Sequence, residues 1–293
     1  MTKSMTQLHK LFIALIVILT SAGLQPLLAQ NNNNRVTVPI ADPSRPIQLR
    51  VHLLNGSITV KGADVKEVIV EAKSRDDGDG DDSEGRRERR RDSDRSEGMK
   101  RIPMTSSGLN IESENNQVRV STDSINRSSD LIITVPVHTS ASLHTVNGGN
   151  ISVTGVDGEL DANNVNGAVT LKDISGSAVA HALNGRVLVT FIRADAKPMA
   201  FSSLNGNIDV TFPAGFKANV SMRTDNGEVY SDFDVALTTT TPQQTVEDNR
   251  TSQGGKYRVK VDKTVRGTIN GGGPEVQFKN FNGNIYIRKA GNK

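Results

Sequence analysis

An Asn-Gly pair occurs eight times along this 293-residue chain, and most copies lie inside the same pattern of apolar residues. Apolar side chains stand four and six residues before the Asn and three and five residues after it. Ser231 is the one polar exception, and after Asn147 an added glycine shifts the later positions by one residue. The pair at Asn270 does not follow the pattern, because Arg266 and Thr264 occupy its apolar positions, and it predicts an ordinary loop. The copies that follow the pattern start at Asn55, Asn147, Asn166, Asn184, Asn205, Asn226 and Asn282.

Each copy predicts two short strands joined by a tight turn. Alternation of apolar and polar residues is typical of strands with one buried face, and Asn-Gly is typical of turns with positive φ. From Asn147 to Asn226 the copies are spaced by 19, 18, 21 and 21 residues. A second turn signal falls midway, at "DG" 157–158 and at "SG" 175–176. One repeat therefore corresponds to two strands and two turns.

This regular spacing predicts an all-β fold of the parallel β-solenoid type, with about 20 residues per coil. The coils would stack about 4.8 Å apart, so that each apolar position forms an inner row. Small residues such as Ala162, Ala178 and Ala180 suit a narrow interior. The Asn side chains would form a ladder at one corner, as amide side chains do in stacked strands. The predicted structural turn ladder comprises Asn147, Gly148, Asn166, Gly167, Asn184, Gly185, Asn205, Gly206, Asn226, Gly227, Asn282 and Gly283.

An antiparallel arrangement is the alternative. Asn-Gly between two alternating strands is also the strongest short-range signal for a β-hairpin. In a two-residue hairpin the same four apolar positions fall on one face, so the alternation of residues does not distinguish the two folds. An antiparallel hairpin meander or sandwich therefore stays open beside the solenoid.

The first 29 residues are typical of a secretory signal peptide. Lys3 and Lys10 flank a polar start, nine apolar residues ("LFIALIVIL") follow, and small residues come after them. We expect cleavage after Ala29, with an uncleaved anchor as the alternative because Leu27 is large for a cleavage site. No later stretch predicts a transmembrane helix. We therefore expect an exported protein, periplasmic or extracellular, and the lack of cysteine excludes both a lipid anchor on cysteine and disulfides.

Residues 30–293 are predicted to form a single β-repeat domain with two interruptions. The segment 75–101, "RDDGDGDDSEGRRERRRDSDRSEGMKR", has too few apolar residues to form a core, so it predicts a disordered charged insert. Strands are expected on both sides of it, at "EVIVEA" and "LNIESE". The Thr-rich segment 236–255 predicts a long surface loop.

The charge balance gives no indication of nucleic-acid binding. The formal net charge of the chain is +3, and it falls to about +1 without the two lysines of the leader. No basic stripe interleaved with aromatic residues occurs, and no nucleic-acid partner is expected.

The histidines and the charged segments do not predict a metal site. His52, His144 and His181 each stand three residues before an Asn-Gly pair and point outward. In the solenoid His144 and His181 would be two coils apart, about 9.6 Å, too far for both rings to bind one zinc ion. "DDGDGDD" at 76–82 lacks the spacing of an EF-hand loop, and "RRERRR" at 86–91 is partly neutralised by neighbouring carboxylates.

No catalytic pattern is recognisable, and no cofactor is expected. A Ser with a His and an acid at a known spacing is missing, and no Lys-Ser/Thr follows the Gly-rich stretches as a phosphate loop requires. The outward residues near the repeated turns do not cluster carboxylates. These outward residues include Asp161, Lys172, Asp209, Tyr230 and Asp232.

Three features together resemble the bacterial putative-adhesin family, exported β-strand-repeat domains of unknown function. They are "LIITVP" ahead of the repeats, the recurring "NG-x-apolar-x-apolar", and the closing "INGGGPEVQFKNFNGNIYI". The resemblance covers roughly 130–288 and, more loosely, 36–73. Asn-Gly stands here where relatives often carry Ser-Gly, and the insert at 75–101 departs from the usual pattern. The resemblance implies a right-handed β-helix-like fold and an envelope location.

These observations favour a non-enzymatic β-repeat protein of the cell envelope, an adhesion, interaction or scaffold module. Its partner would be an envelope polysaccharide or another protein, bound over the outward positions of several coils. The alternative is a polysaccharide-active β-helix enzyme, which should show clustered carboxylates with a Lys or Arg in a groove. A third hypothesis is a structural envelope protein without a ligand.

Overall fold

The computed structural model describes residues 35–42, 44–74, 109–122, 128–238, 244–248, 257–261 and 264–291. All regular secondary structure in these ranges is β-strand, so the all-β prediction is confirmed. The predicted signal peptide, residues 1–29, and the whole predicted insert, residues 75–101, lie outside the described residues. The strands expected on either side of that insert are present.

The described residues form 22 strands, most of them five to ten residues long, in one 20-stranded sheet of mixed orientation and one two-stranded sheet. In the first half these are β1 Arg35–Pro39, β2 Ile47–Asn55, β3 Ile58–Ala63, β4 Glu67–Ser74, β5 Leu109–Glu114, β6 Gln117–Thr122, β7 Ser129–Pro136, β8 Thr139–Asn147, β9 Ile151–Thr154, β10 Asp157–Asn166 and β11 Val169–Asn184. In the second half they are β12 Val187–Ala194, β13 Met199–Asn205, β14 Ile208–Phe212, β15 Ala218–Asn226, β16 Val229–Ser231, β17 Val235–Leu237, β18 Gln244–Asp248, β19 Tyr257–Val261, β20 Val265–Ile269, β21 Glu275–Asn282 and β22 Ile285–Lys289.

Two runs of parallel strands account for the repeats, and we name them stack A and stack B. Stack A holds the strands that end at the Asn of each turn, together with β6, which pairs in parallel with β2. Stack B holds the strands that begin after the Gly, together with β7, which pairs in parallel with β3. The long strand β11 contributes its second half to stack A and its first half to stack B. In spatial order stack A is β6, β2, β8, β10, β11, β13, β21, β15. In spatial order stack B is β7, β3, β9, β11, β12, β14, β22, β16.

The strands on either side of an Asn-Gly turn pair with neighbouring repeats. Val169 lies beside Ile151 on one side and Val187 on the other, and both pairings are parallel. Beyond Asn184, β12 pairs in parallel with β11 and β14, while the half of β11 before that turn pairs with β10 and β13. Equivalent positions of adjacent repeats therefore lie side by side.

The apolar positions of the pattern form the core. All fourteen side chains four and six residues before the Asn are buried, including small ones such as Ala162 and Ala180 and large ones such as Phe201 and Phe278. After the turn the corresponding residues are buried too, except in the repeat of Asn226, where Val229 is 36% exposed. Strand β16 lies at the end of stack B, where β22 is its one partner among the described strands.

The spatial order of the repeats differs from their order in the chain. The C-terminal strands β21 and β22 lie between β13 and β15 in stack A and between β14 and β16 in stack B. The repeat of Asn55, in turn, lies directly against the repeat of Asn147, although 92 residues separate the two.

Antiparallel strands cover three ends of the stacks. At one end β5 pairs with β6, and β4 pairs with both β7 and β1. At the opposite end of stack A, β20 pairs with β15 and with β17. The segment predicted as one loop, 236–255, contains strand β18, which pairs antiparallel with β19. That prediction was wrong for Gln244–Asp248, since its Thr-rich composition concealed the short alternation "QTVED".

Candidate ligand-binding face

The asparagines of the turns are joined by a continuous row of side-chain hydrogen bonds. From the second asparagine of the row onward, the Nδ2 donates to the Oδ1 of the asparagine before it in spatial order, at 2.8 to 3.1 Å. These amides therefore have their partners within the protein, and they hold the turns of successive coils together. In spatial order the row is Asn147, Asn166, Asn184, Asn205, Asn282 and Asn226.

A second set of polar side chains supports the turns from inside the protein. The residue two positions before the Asn points inward, and in five repeats it is polar and donates to the carbonyl of the turn glycine of a neighbouring coil. The distances are 2.8 to 3.0 Å, so these buried donors are satisfied. The recurring polar character of this position was visible in the repeat, but its hydrogen bond to the neighbouring turn was not predicted. The donors are Thr145, Asn164, Ser203, Thr224 and Asn280.

The outward residues of stack A line a groove that crosses strands β2, β8, β10 and β11. Its volume is about 510 Å³. These side chains face solvent because they alternate with the buried positions of the same strands. Small hydroxyl side chains such as Ser140 and Ser142 form part of its surface, and charged side chains stand along it. The charged residues of the groove are Arg50, Glu159, Asp161 and Lys197.

Most of the charges in this groove are already paired. The Nζ of Lys197 donates to the Oε1 of Glu159 at 2.6 Å, and this hydrogen bond raises the pKa of Lys197 above its ordinary value. Asp161 accepts a hydrogen bond from Asn163 Nδ2 at 2.8 Å. Arg50, in contrast, forms no ion pair with any carboxylate of the described residues. The groove thus carries its uncompensated positive charge at the β2 end.

A second groove continues from this end and shares Arg50 and Ser142 with the first. Its volume is about 290 Å³, and it is lined by strands β5, β6, β2 and β8. Arg119 of β6 lies in register beside Arg50 of β2, and both guanidinium groups point to the same side. Glu112 of β5 also lines this groove. The two grooves together form one channel across the six adjacent strands β5, β6, β2, β8, β10 and β11, which we call the stack A groove.

Two histidines stand at the border of the stack A groove. The rings of His52 and His144 are stacked, with centroids 4.8 Å apart and planes 8° from parallel. Desolvation lowers the pKa of His144 below its ordinary value, repulsion from His52 lowers it further, and Asp161 partly offsets both effects. His181, by contrast, is paired with Ser202 at 2.6 Å between Nδ1 and Oγ.

The histidine pair differs from the one that the sequence analysis compared. The sequence placed His144 and His181 two coils apart, and in the structure they do lie two strands apart, with Asn163 between them. The structure also brings His144 against His52, because β2 lies next to β8. In the part of the chain that the structure describes, no group of three or more His, Cys, Asp or Glu residues has an arrangement that could hold a metal ion.

The outward side of stack B carries the remaining charged residues that the sequence analysis named. Asp209 accepts from Arg288 Nε at 2.7 Å, and the guanidinium of Arg288 lies 5.3 Å from the ring centroid of Tyr286. Tyr286 stacks on Tyr230 at 5.2 Å. Lys172 is exposed in the middle of this face, and Asp232 accepts from the backbone N–H of Lys289. Asp161 alone of the five named residues lies in the stack A groove.

Comparison with known proteins yields one distant structural likeness. No protein-family model matches the chain, and no curated protein is similar to it. A putative cell adhesion protein from Clostridium sporogenes is similar in structure at a TM-score of 0.34 and 10% identity, over 87% of this chain and 98% of that one. A likeness this distant assigns no family and carries no argument about function. Within the described ranges no helix is long and apolar enough to span a membrane.

Proposed function

We propose that this chain is an exported, non-catalytic interaction module of the cell envelope, which binds an extended polymer along the stack A groove. The observation that carries the proposal is the groove itself, which crosses six adjacent strands and repeats equivalent outward positions from coil to coil. Repeated outward positions at a regular spacing suit a ligand that is itself a repeat, such as an envelope polysaccharide. The hydroxyl groups of Ser140 and Ser142 can exchange hydrogen bonds with sugar hydroxyls.

The fold that we propose for this module is a right-handed parallel β-solenoid. In-register parallel pairing of one repeat with the next, in both stacks, supports the solenoid over a hairpin meander. The hydrogen-bonded row of turn asparagines supports it too, and we propose that this row serves to fix the turns and takes no part in binding.

Binding of polysaccharides to the full chain tests the proposed function. Affinity electrophoresis and calorimetry with a panel of neutral and charged envelope polysaccharides should give a dissociation constant for at least one of them. The variant Ser142→Tyr places a bulky ring in the stack A groove and should weaken binding at least about tenfold, because it blocks the channel that both grooves share. Thr154→Tyr is the matched control, since it introduces the same ring at an exposed outward position of β9.

The control also defines the result that would contradict the proposal. Equal affinities of the Ser142→Tyr and Thr154→Tyr proteins would place binding elsewhere on the molecule. Failure to bind any polysaccharide in the panel would favour the structural envelope protein without a ligand.

A specific observation favours one other candidate, a polysaccharide-active enzyme. Glu159 and Asp161 stand two residues apart on the outward face of β10, with Lys197 and Arg50 in the same groove. However, the side chain of Glu159 is 66% exposed and paired with the ammonium group of Lys197. A general acid in glycoside hydrolysis must keep a proton, which burial usually provides. The binding module is therefore the better supported function.

The enzyme candidate has its own test. New reducing ends, or unsaturated products that absorb in the ultraviolet, should form from a bound polysaccharide if the chain is an enzyme. Turnover that disappears in Glu159→Gln and Asp161→Asn, with binding retained, would replace the proposed function by this one.

A further inference from the structure

We infer that Arg50 and Arg119 form an anion-binding subsite of the stack A groove and that the ligand is a polysaccharide carrying carboxylate or sulfate groups. This inference rests on the proposed function, because it names the chemistry of the ligand for the same groove.

The two guanidinium groups stand side by side on the same face of the sheet. Arg50 and Arg119 are register partners on the adjacent parallel strands β2 and β6. Neighbouring strands lie about 4.8 Å apart, so two positive charges stand side by side. Like charges directly opposite each other on a sheet destabilise it. A bound anion would offset this repulsion, and the planar guanidinium recognises carboxylate and sulfate oxygens with two parallel hydrogen bonds.

Among the residues that the structure describes, these two charges have no ion-pair partner. Other arginines of the described chain form ion pairs, such as Arg193 with Asp157 and Arg288 with Asp209. Within the described ranges, neither Arg50 nor Arg119 has a carboxylate within ion-pairing distance. Glu112 is the cross-strand neighbour of Arg119, yet the two form no ion pair. The subsite is thus an exposed positive charge inside a concave surface, which attracts anions more strongly than a flat surface does.

Charge is distributed unevenly along the groove. The ion pair of Glu159 and Lys197 is neutral overall, and Asp161 lies two strands away from Arg50. That separation is about 10 Å from the strand spacing. An anionic group is therefore repelled from the β10 end and attracted to the β6 and β2 end. A polymer in the groove can place its acid between the arginines and its neutral sugars along Ser140 and Ser142.

The lining of the groove also distinguishes a polysaccharide from a nucleic acid. Proteins that bind single-stranded nucleic acids stack bases on aromatic side chains. Apart from the two histidines, none of the described side chains that line the stack A groove is aromatic. The surface offers hydroxyl, amide and guanidinium groups, which suit sugar hydroxyls and acidic substituents.

The experiment compares Arg50→Gln/Arg119→Gln with the wild-type full chain on three polymers: polygalacturonate, dextran sulfate and neutral dextran. We expect the wild type to bind one or both anionic polymers, with an affinity that falls as salt is added. The double variant should lose at least about tenfold of that affinity. The control Lys172→Gln/Arg186→Gln removes two positive charges from exposed positions outside the groove and should retain wild-type affinity.

The possible outcomes are distinct. Binding to polygalacturonate alone or dextran sulfate alone identifies the acidic group, and either supports the inference. Equal binding to dextran and to the anionic polymers, unchanged in the double variant, overturns the inference while the proposed function stands. Equal losses in the double variant and in the control show a general charge effect and also overturn it. Failure to bind any of these polymers or the wider panel rejects both. Since both arginines are exposed, the melting temperature of the variant should equal or exceed that of the wild type, and this confirms that the variant is folded.

Discussion

Asn282 lies beside Asn205, 77 residues earlier in the chain, and its Nδ2 donates a hydrogen bond to the Oδ1 of Asn205 at 2.8 Å. On the other side, Asn226 Nδ2 donates to Asn282 Oδ1 at 2.9 Å. The C-terminal repeat thus fills a position between two repeats that precede it. Strands β15 and β16 pair with β21 and β22. The repeat of Asn226 consequently depends on the C-terminal strands for its place in the sheet.

Asn282→Ala tests the row of turn asparagines. The change removes two side-chain hydrogen bonds at once, one donated and one accepted. A typical hydrogen bond contributes about 0.5–1.5 kcal/mol net. We expect the free energy of unfolding to fall by about 1–2 kcal/mol, measured by urea denaturation.

The control for this change is Asn163→Ala. Asn163 is also on the surface, but its side chain bonds only to Asp161 on its own strand. Its removal should cost about 0.5 kcal/mol or less. Equal losses at the two positions would show that the row adds nothing beyond an ordinary surface contact.

Gly176→Ala tests the close approach of neighbouring coils. Gly176 has a φ of +111° and packs against the preceding coil, where an added Cβ would stand 2.2 Å from the carbonyl oxygen of Gly158. Both the backbone conformation and the contact exclude a side chain, so we expect a loss of about 3 kcal/mol or more in unfolding free energy. Gly215→Ala is the control, because no atom lies within 4 Å of its added Cβ. It should be neutral or slightly stabilising in thermal denaturation. A Gly176→Ala protein as stable as the Gly215→Ala protein would refute this packing.

Val187→Ala and Val229→Ala compare the same position of the repeat inside the stack and at its end. Val187 is fully buried between two coils, whereas Val229 is 36% exposed on β16. Removing two buried methyl groups loses about 0.8 kcal/mol each and leaves a cavity, so Val187→Ala should cost about 2 kcal/mol. Val229→Ala should cost about half of that or less, measured by chemical denaturation. Similar costs would mean that β16 is covered in solution.

Acidification should destabilise the protein through His144. Desolvation and the neighbouring His52 lower the pKa of His144 in the folded chain, with Asp161 on β10 opposing them. Arg50 of β2 and Arg119 of β6 add positive charge on the same face. The unfolded chain therefore takes up a proton as the pH falls through about 6.5, while the folded chain does so only at lower pH. Stability that is present above pH 6.5 is lost as the pH falls from about 6.5 toward the folded pKa.

Urea denaturation between pH 7.5 and 5.5 measures this loss. His144→Asn should reduce the decline, because the titrating group is removed. The interpretation is wrong if His144→Asn leaves the decline unchanged.

Several features of the structure followed from the repeat alone. The alternation of residues around each Asn identified fourteen inward positions before the turn, and every one of them is buried. This succeeded because a strand places successive side chains on opposite faces whatever its partner is. The positive φ expected of the turn glycines is found at some of them, Gly148 and Gly283 among these, but Gly185 and Gly227 do not have it.

Other features required the tertiary structure. The stacked pair of His52 and His144 and the adjacent Arg50 and Arg119 exist because β2 lies between β6 and β8. The sequence separates Arg50 from Arg119 by a long charged segment, so nothing local brings the two together. The strand at Gln244–Asp248 was missed because its Thr-rich surroundings are typical of a loop.

The sequence by itself determined which side chains enter the core, where the chain turns, and that the protein is built from strands, because these depend on the alternation of residues and on local turn chemistry. It did not determine which repeat lies next to which. Every repeat presents the same apolar positions and the same asparagine to its neighbours, so any two of them could pair locally. The tertiary structure placed Asn282 between Asn205 and Asn226, and it assembled the stack A groove from strands that are distant in the chain. That selection depends on the packing of all coils together, which no single repeat encodes.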